Sequence, residues 1–181
     1  MHHLILQFIV FLIAVIWLST SPYSIPKRIG LTLPKRRVIL GLFEWFVIFQ
    51  IFKIFNFSWK NSPFDSFFII SGLLIVIIGT SLAIWARLTM KNNWGVPAEH
   101  DIKRQRELVV NGPFKLSRNP IYVGLLFMLT GIELTLRSYF ILLIFPAFIF
   151  AEIVIKKEEK LLEKYFGKKY LEYKKRVPRF I

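Results

Sequence analysis

Apolar residues along the chain come in long blocks rather than on one face of each segment, and basic residues fill the gaps between the blocks. Leu4 to Leu18 is apolar except for Gln7, and because further apolar blocks follow, it reads as a first membrane span rather than a cleaved leader. Ser19 to Arg37 carries Pro22, Pro26 and Pro34 with Lys27, Arg28, Lys35, Arg36 and Arg37, which predicts a loop in water or headgroups. Val38 to Phe57 is long enough to cross about 30 Å of hydrocarbon at about 1.5 Å per residue, with Glu44, Gln50 and Lys53 expected to face protein or the interface. Phe67 to Ala86 is the cleanest span. Its interruptions, Ser71, Gly72, Gly79, Thr80 and Ser81, are small residues of the kind that let helices approach closely in lipid. Tyr122 to Leu136 and Tyr139 to Ile155, joined at Arg137-Ser138, predict a tight helical hairpin whose first arm is short for a span of its own. From Lys156 onward Glu159, Leu162, Phe166, Tyr170 and Tyr173 recur at three- and four-residue steps, predicting a surface helix with one largely apolar stripe.

The expected fold is therefore all-α: a polytopic transmembrane helical bundle of about five segments, the last two forming a hairpin over 121–155, plus a cytoplasmic C-terminal helix over 156–175. The organisation divides into N-terminal transmembrane helices, 1–86, and a region carrying the chemistry, 87–181. With the N-terminus outside, 22 of the 25 Lys and Arg fall on the inner side, against Lys60 and Arg137 outside and Lys53 within a span. That bias sets the orientation, because translocating Lys and Arg is disfavoured. The polar segment Arg87 to Pro120 and the C-terminal helix then share the cytoplasmic face and can build one site together.

Composition sharpens this picture. Of 181 residues, 55% are hydrophobic and 17% aromatic, and the 25 Lys and Arg outnumber 11 Asp and Glu to give a net charge of +14. A mean hydropathy of +0.52 excludes a soluble nucleic-acid binder, whose basic residues would project from a water-soluble fold. The absence of cysteine removes thiol nucleophiles and Cys-ligated metals. His2, His3 and His100 have no metal-site spacing, so no metal is expected, and neither a P-loop, a G-x-S-x-G elbow nor a G-x-G-x-x-G fingerprint occurs.

Candidate chemistry concentrates in two segments. Leu108-Val109-Val110-Asn111-Gly112-Pro113-Phe114, followed by Ser117-Arg118-Asn119-Pro120-Ile121-Tyr122, holds two turn signals just before an apolar block, leaving backbone groups to be satisfied at the lipid boundary. Two readings stand side by side: Pro120 simply starts a helix with Asn119 as its cap, or the segment forms a polar cosubstrate pocket at the membrane surface. Glu158-Glu159 sits just past the last apolar arm. It is either an exposed pair neutralised by Lys156, Lys157 and Lys160, or it sets a carboxylate against a cationic ligand or Arg118. Glu44, Glu133 and Glu152 read as packing or interfacial residues, with Glu152 nearest the proposed site.

The stretches L-V-V-N-G-P-F-K-L-S-R-N-P-I-Y-V-G and E-E-K-L-L-E-K-Y-F-G-K-K-Y-L-E-Y-K-K-R-V-P resemble the isoprenylcysteine carboxyl methyltransferase and phospholipid methyltransferase superfamily of integral membrane enzymes. The resemblance covers roughly residues 85 to 178, with Asn93-Trp94-Gly95 near the family's usual aromatic. It implies S-adenosylmethionine as methyl donor, with Arg106, Leu108, Val109, Gly112, Pro113, Phe114, Asn119, Pro120, Tyr122 and Glu159 around it and Arg118, Glu158 and Glu159 as catalytic residues. Two departures stand out: Arg106 and Asn119 occupy positions where the family often has histidine, and neither titrates near neutrality as histidine does.

The function the resemblance implies is transfer of a methyl group to a lipidic acceptor, either the carboxylate of a prenylcysteine-like molecule or the amine of a phospholipid. A carboxylate needs no base and Arg118 could orient it, whereas an ammonium must first lose a proton, to Glu158 or Glu159. The competing expectations are an NADPH-dependent sterol-reductase-like enzyme, with Lys103, Arg104 and Arg106 as its basic cluster, and a non-catalytic scaffold held to anionic lipid by its charge. Membrane lipids are expected partners under every reading, nucleic acid under none, and the oligomeric state stays open.

Overall fold

The computed structural model describes residues 2–20, 47–52, 57–93 and 107–181, which are helical apart from connecting turns, with no strand among them. Ser19 and Thr20, expected to begin the loop over 19–37, are helical; the rest of that loop, most of the span over 38–57, and the residues Glu44, Lys53, Trp94, Gly95, Glu99, His100, Lys103, Arg104 and Arg106 lie outside the described residues. Helix α1 is His2–Thr20 and α2 is Asp65–Met90. A 3-10 turn, Gly112–Lys115, precedes α3, Pro120–Leu136. A second, Tyr139–Leu143, leads into α4, Ile144–Phe166, and α5 is Lys168–Arg176. Asp65–Met90 and the continuous stretch Tyr139–Phe166 are long and apolar enough to cross a membrane, while His2–Trp17 and Pro120–Leu136 are apolar but shorter.

The burial pattern of α2 inverts that of a helix folded in water. Gly72, Val76, Gly79, Thr80, Ala83, Ala86 and Arg87 are buried, while Phe67, Ile70, Leu74, Ile77, Ile78, Trp85 and Leu88 are exposed. Where the surrounding solvent is as apolar as leucine, large side chains gain nothing by turning inward, and small ones let backbones approach. The principal partner of α2 is α3. Gly72 lies against Gly131 and Thr135, and Gly79 against Gly124 and Met128. On each helix the two glycines are seven residues apart, two helical turns, so the paired sites recur on one face of an antiparallel pair.

Three expectations shift. The helix does not stop at Ala86: it runs on to Met90, and Arg87 is buried at 1% exposure, with its Nη1 donating to the Lys91 carbonyl at 3.4 Å. The charged segment does not begin a helix of its own at 156. Helix α4 passes from apolar to charged residues without a break, and the chain turns at Gly167, whose φ of 55° suits a residue without Cβ. Finally, Arg137, Ser138 and the 3-10 turn connect α3 to α4, but the principal partner of α3 is α2, which it approaches at the glycines, and not α4 as a hairpin would have it.

At that junction Arg137 adopts φ 54°, its carbonyl accepts from the Trp59 amide at 2.8 Å, and its guanidinium pairs with Asp65 and bonds Asn61 Oδ1 at 3.1 Å. Trp59, Phe68 and Tyr139 gather around it in edge-to-face contacts. Nearby, buried Gln50 donates to Ser138 Oγ at 3.1 Å and to Glu133 Oε2 at 3.5 Å, so Gln50 and Glu133 face protein rather than lipid.

Candidate active site

The segment Leu108 to Tyr122 crosses the end of the bundle where α2 stops and α3 starts, and three elements hold it. Gly112, at φ 57°, sits on α2: a Cβ there would lie 2.9 Å from Thr89 Oγ1 and 3.4 Å from Trp85 Nε1. Phe114 packs into the cluster formed by Ala86 and Ile121, with Val109, Met90 and Trp17 around it. From α5, the Tyr173 hydroxyl donates to the Phe114 carbonyl at 2.7 Å. From the chain's last residues, the Pro178 carbonyl accepts from the Arg118 amide at 2.9 Å.

Glu159 stands at the centre with 3% exposure. Its Oε1 accepts from Arg118 Nε at 3.1 Å and lies 2.9 Å from Arg118 Nη2, while its Oε2 accepts from Arg179 Nη2 at 2.7 Å. Arg179 Nε reaches both oxygens at 3.2 Å. A carboxylate this deep is tolerated because both oxygens are met by charged donors. Arg118 in turn spends Nη1 on the Lys174 carbonyl, at 2.9 Å. The bonded carboxylate holds the Arg179 guanidinium above its ordinary pKa, and burial pushes the Tyr170 and Tyr173 phenols up as well.

Glu158, one residue earlier, has a different partner. The Tyr122 hydroxyl, two residues into α3, donates to Glu158 Oε1 at 2.9 Å. The two adjacent carboxylates thus point to different neighbours, one toward paired guanidiniums and one toward a phenol at the start of the next helix.

The structure brings together most of the residues singled out from the sequence. Arg118, Glu159, Asn119 and Glu158 with Tyr122 meet where Gly112, Pro113 and Phe114 pass, and Leu108 and Val109 lead in. Arg106 lies outside the described residues. Pro120 does start α3 with Asn119 at the cap position, but the Asn119 side chain makes no capping bond among the described residues and instead donates from Nδ2 to the Arg179 carbonyl at 3.2 Å. Nor is Glu158-Glu159 an exposed pair neutralised by neighbouring lysines, since Lys156 pairs with Glu152 at 2.8 Å and arginines from distant segments take Glu159. Glu152 stands at the edge of this network, 3.8 Å from Arg179 Nη1.

Arg179 was invisible to sequence reasoning. It is one more basic residue in a strongly basic terminus, and nothing local marks it as the residue that reaches Glu159. Tyr173 was more legible, because the three- and four-residue stripe had already placed it on the buried face of its helix.

A family model described as phospholipid methyltransferase matches residues 67–169, from α2 to the start of α5. The protein-S-isoprenylcysteine O-methyltransferase of Homo sapiens is 29% identical over 129 residues, which is 70% of this chain and 45% of that protein. That of Xenopus laevis is 32% identical over 109 residues, 59% of this chain and 38% of its own length. Protein-S-isoprenylcysteine O-methyltransferase B of Arabidopsis thaliana is 33% identical over 114 residues, 59% of this chain and 55% of its own. The chain spans about half the length of the curated relatives it matches.

Proposed function

The chain belongs to the phospholipid methyltransferase family, and from that premise we propose that it is a membrane-embedded methyltransferase that uses S-adenosylmethionine to esterify the carboxylate of a prenylcysteine-like lipid. The observation that carries this reading is the convergence of the Leu108 to Tyr122 segment with Glu158 and Glu159 at one end of a lipid-exposed bundle, within the matched region. The relatives' names, all isoprenylcysteine O-methyltransferases, supply the acceptor. The remaining arrangement proposed is multi-pass, about five segments with a terminal hairpin, and a cytoplasmic C-terminus, which follows from the asymmetry of Lys and Arg.

The residues present suit such a donor. Leu108 to Val110 lies in no helix or strand, so its amides are not consumed by a backbone ladder and can meet a carboxylate. Glu158 offers an acid to an ammonium, and Tyr122 an aromatic face near a sulfonium. When bound, S-adenosylmethionine supplies an electrophilic methyl carbon that an acceptor oxygen takes as the carbon–sulfur bond breaks, its electron pair staying on sulfur.

For a carboxylate acceptor no proton moves, and the protein's task is alignment and exclusion of water. Gly112, Pro113 and Phe114 line the donor side, and Asn119 and Pro120 continue it; Arg106 is assigned to the donor by the family resemblance alone. Tyr122 orients Glu158. Arg118, with Glu159 as its counter-ion, holds the loop, and the cluster of Arg118, Glu159 and Arg179 carries one positive charge in excess, which favours the acceptor's carboxylate. The exposed Phe145, Phe148, Ile149 and Phe150 of α4 give a lipid chain an apolar wall on its way in from the bilayer.

The family description favours one second reading, methylation of a phospholipid amine, in which Glu158 takes the ammonium proton. Purified protein in detergent, supplied with methyl-labelled S-adenosylmethionine, prenylated cysteine analogues and lipid extract, separates the two. Base-labile label released as methanol is the expected result and identifies a carboxyl ester. Base-stable label in lipid would establish the amine reading instead. No label in either fraction, with NADPH bound, would replace both by the reductase.

A further inference from the structure

The last residues of the chain are tied to three consecutive residues of the loop that leads into α3. Ser117 Oγ donates to the Arg179 carbonyl at 2.9 Å, the Arg118 amide donates to the Pro178 carbonyl at 2.9 Å, and Asn119 Nδ2 donates to the Arg179 carbonyl at 3.2 Å. The Arg179 side chain then turns to α4, where it takes Oε2 of Glu159 and shares Oε1 with Arg118. Beyond it, the Phe180 ring lies tilted against that of Phe148 with centroids 5.3 Å apart, holding the tail to the apolar part of the same helix.

We propose that Val177–Ile181 is a strap that sets the conformation of the donor-binding loop, and that Arg179 is its positioning residue. The loop's own backbone bonds run from the Phe114, Leu116 and Ser117 amides back to Asn111 and Pro113 and stop short of Arg118, whose amide and neighbouring side chains bond the tail instead. The tail supplies what the loop lacks: acceptors for one amide and two side chains, plus a guanidinium that shares Glu159 with Arg118. Because Arg118 and Arg179 divide one carboxylate, removing Arg179 leaves Oε2 of a buried glutamate unpaired and lets Glu159 rotate, carrying Arg118 with it. The strap holds the loop before any ligand arrives, which lowers the ordering cost of binding.

This inference rests on the reading of the loop as the donor site, so its test needs a readout that does not depend on methyl transfer. Hydrogen exchange of the full chain in detergent, without donor, is compared for wild type, Arg179→Ala, Arg179→Lys and the exposed control Lys175→Ala. In Arg179→Ala the amides of Phe114 to Asn119 are expected to exchange at least about tenfold faster while those of α2 and α3 are unchanged, with Arg179→Lys in between and the control like wild type. In turnover assays the same variant should raise the donor KM by about tenfold with a much smaller change in kcat, partly restored by Lys.

Unaltered exchange at Arg118 and Asn119 would overturn the strap. So would a lower active fraction with unchanged donor KM, which is what a merely structural residue produces. If Arg179→Ala does not fold, Arg179→Lys carries both measurements, since it keeps the charge and loses the fork. Should wild type transfer no methyl group to any acceptor, the proposed function fails, while exchange still decides whether the tail orders the loop.

Discussion

Gly72 and Gly131 meet backbone to backbone: a Cβ built on Gly72 would lie 2.8 Å from the Gly131 carbonyl oxygen, and one built on Gly131 would lie 2.6 Å from that of Gly72. The same reciprocity holds two turns away, where a Cβ on Gly79 would meet the Gly124 carbonyl at 2.6 Å and one on Gly124 the Gly79 carbonyl at 2.7 Å. These contacts bring the end of α2 and the start of α3 together, and the candidate site is built across that junction. The atoms in the way are backbone, so they cannot move aside as a side-chain tip would.

Gly79→Leu or Gly131→Leu should therefore separate α2 from α3 rather than repack them. The expected cost is about 1–3 kcal/mol or more, the range of overpacked cores, read as a lower midpoint in thermal or denaturant unfolding in detergent. Leucine at exposed Ser81, on the lipid side of the same helix, should leave the midpoint within error. Equal midpoints for all three variants would mean that the glycine pairing does not hold the bundle.

Glu159→Gln leaves Arg118 and Arg179 facing each other without their shared anion. A loss of about 2–3 kcal/mol is expected, somewhat below that for a fully buried pair because Arg179 keeps 28% exposure. Activity should fall with it, and high salt should recover part of the stability by screening the two guanidiniums. A variant as stable as wild type at low salt would show that the carboxylate is dispensable.

Tyr122→Phe removes one hydroxyl from Glu158 and little else. The expected outcome is a several-fold rise in donor KM with the unfolding midpoint nearly unchanged, the signature of lost orientation. Glu158→Gln should cost at least about a hundredfold in kcat/KM, since the amide cannot pair with an ammonium. Parallel donor titrations of the two variants check the order; a larger defect in Tyr122→Phe than in Glu158→Gln would reverse the roles assigned here.

Gly112→Ala places a Cβ at positive φ and 2.9 Å from Thr89 Oγ1. Backbone strain of about 1–2 kcal/mol is expected, confined to the loop. Thr89→Ala in the same chain should relieve the steric part and restore some donor affinity, leaving only the cost of the φ angle. No improvement in the double variant would locate the whole defect in the backbone.

The apolar blocks and the distribution of Lys and Arg made the helical membrane character readable, because periodicity and composition are local properties of a chain. The Leu108 to Tyr122 segment and Glu158-Glu159 were readable for a similar reason: turn formers and paired acids stand out in a sequence otherwise made of spans. Of the stripe Glu159, Leu162, Phe166, Tyr170 and Tyr173, Glu159 and the two tyrosines are buried and Leu162 and Phe166 are half-buried. Its interruption at Gly167, and the passage of α4 through Lys156 without a break, were not legible, because a helix is ended by its backbone and not by a change in polarity.

Local pattern alone marks the apolar helices among the described residues and the side chains with the chemistry to form a site. Which of those side chains meet follows from packing. Glu159 lies 41 residues from Arg118 and 20 from Arg179 along the chain, and only the placing of α4 beside the loop that leads into α3, with the tail folded back across that loop, brings the three together. Adjacent acids acquired different partners for the same reason. Successive residues on a helix point about 100° apart, so Glu158 faces Tyr122 while Glu159 faces the arginines, a distinction set by direction in space.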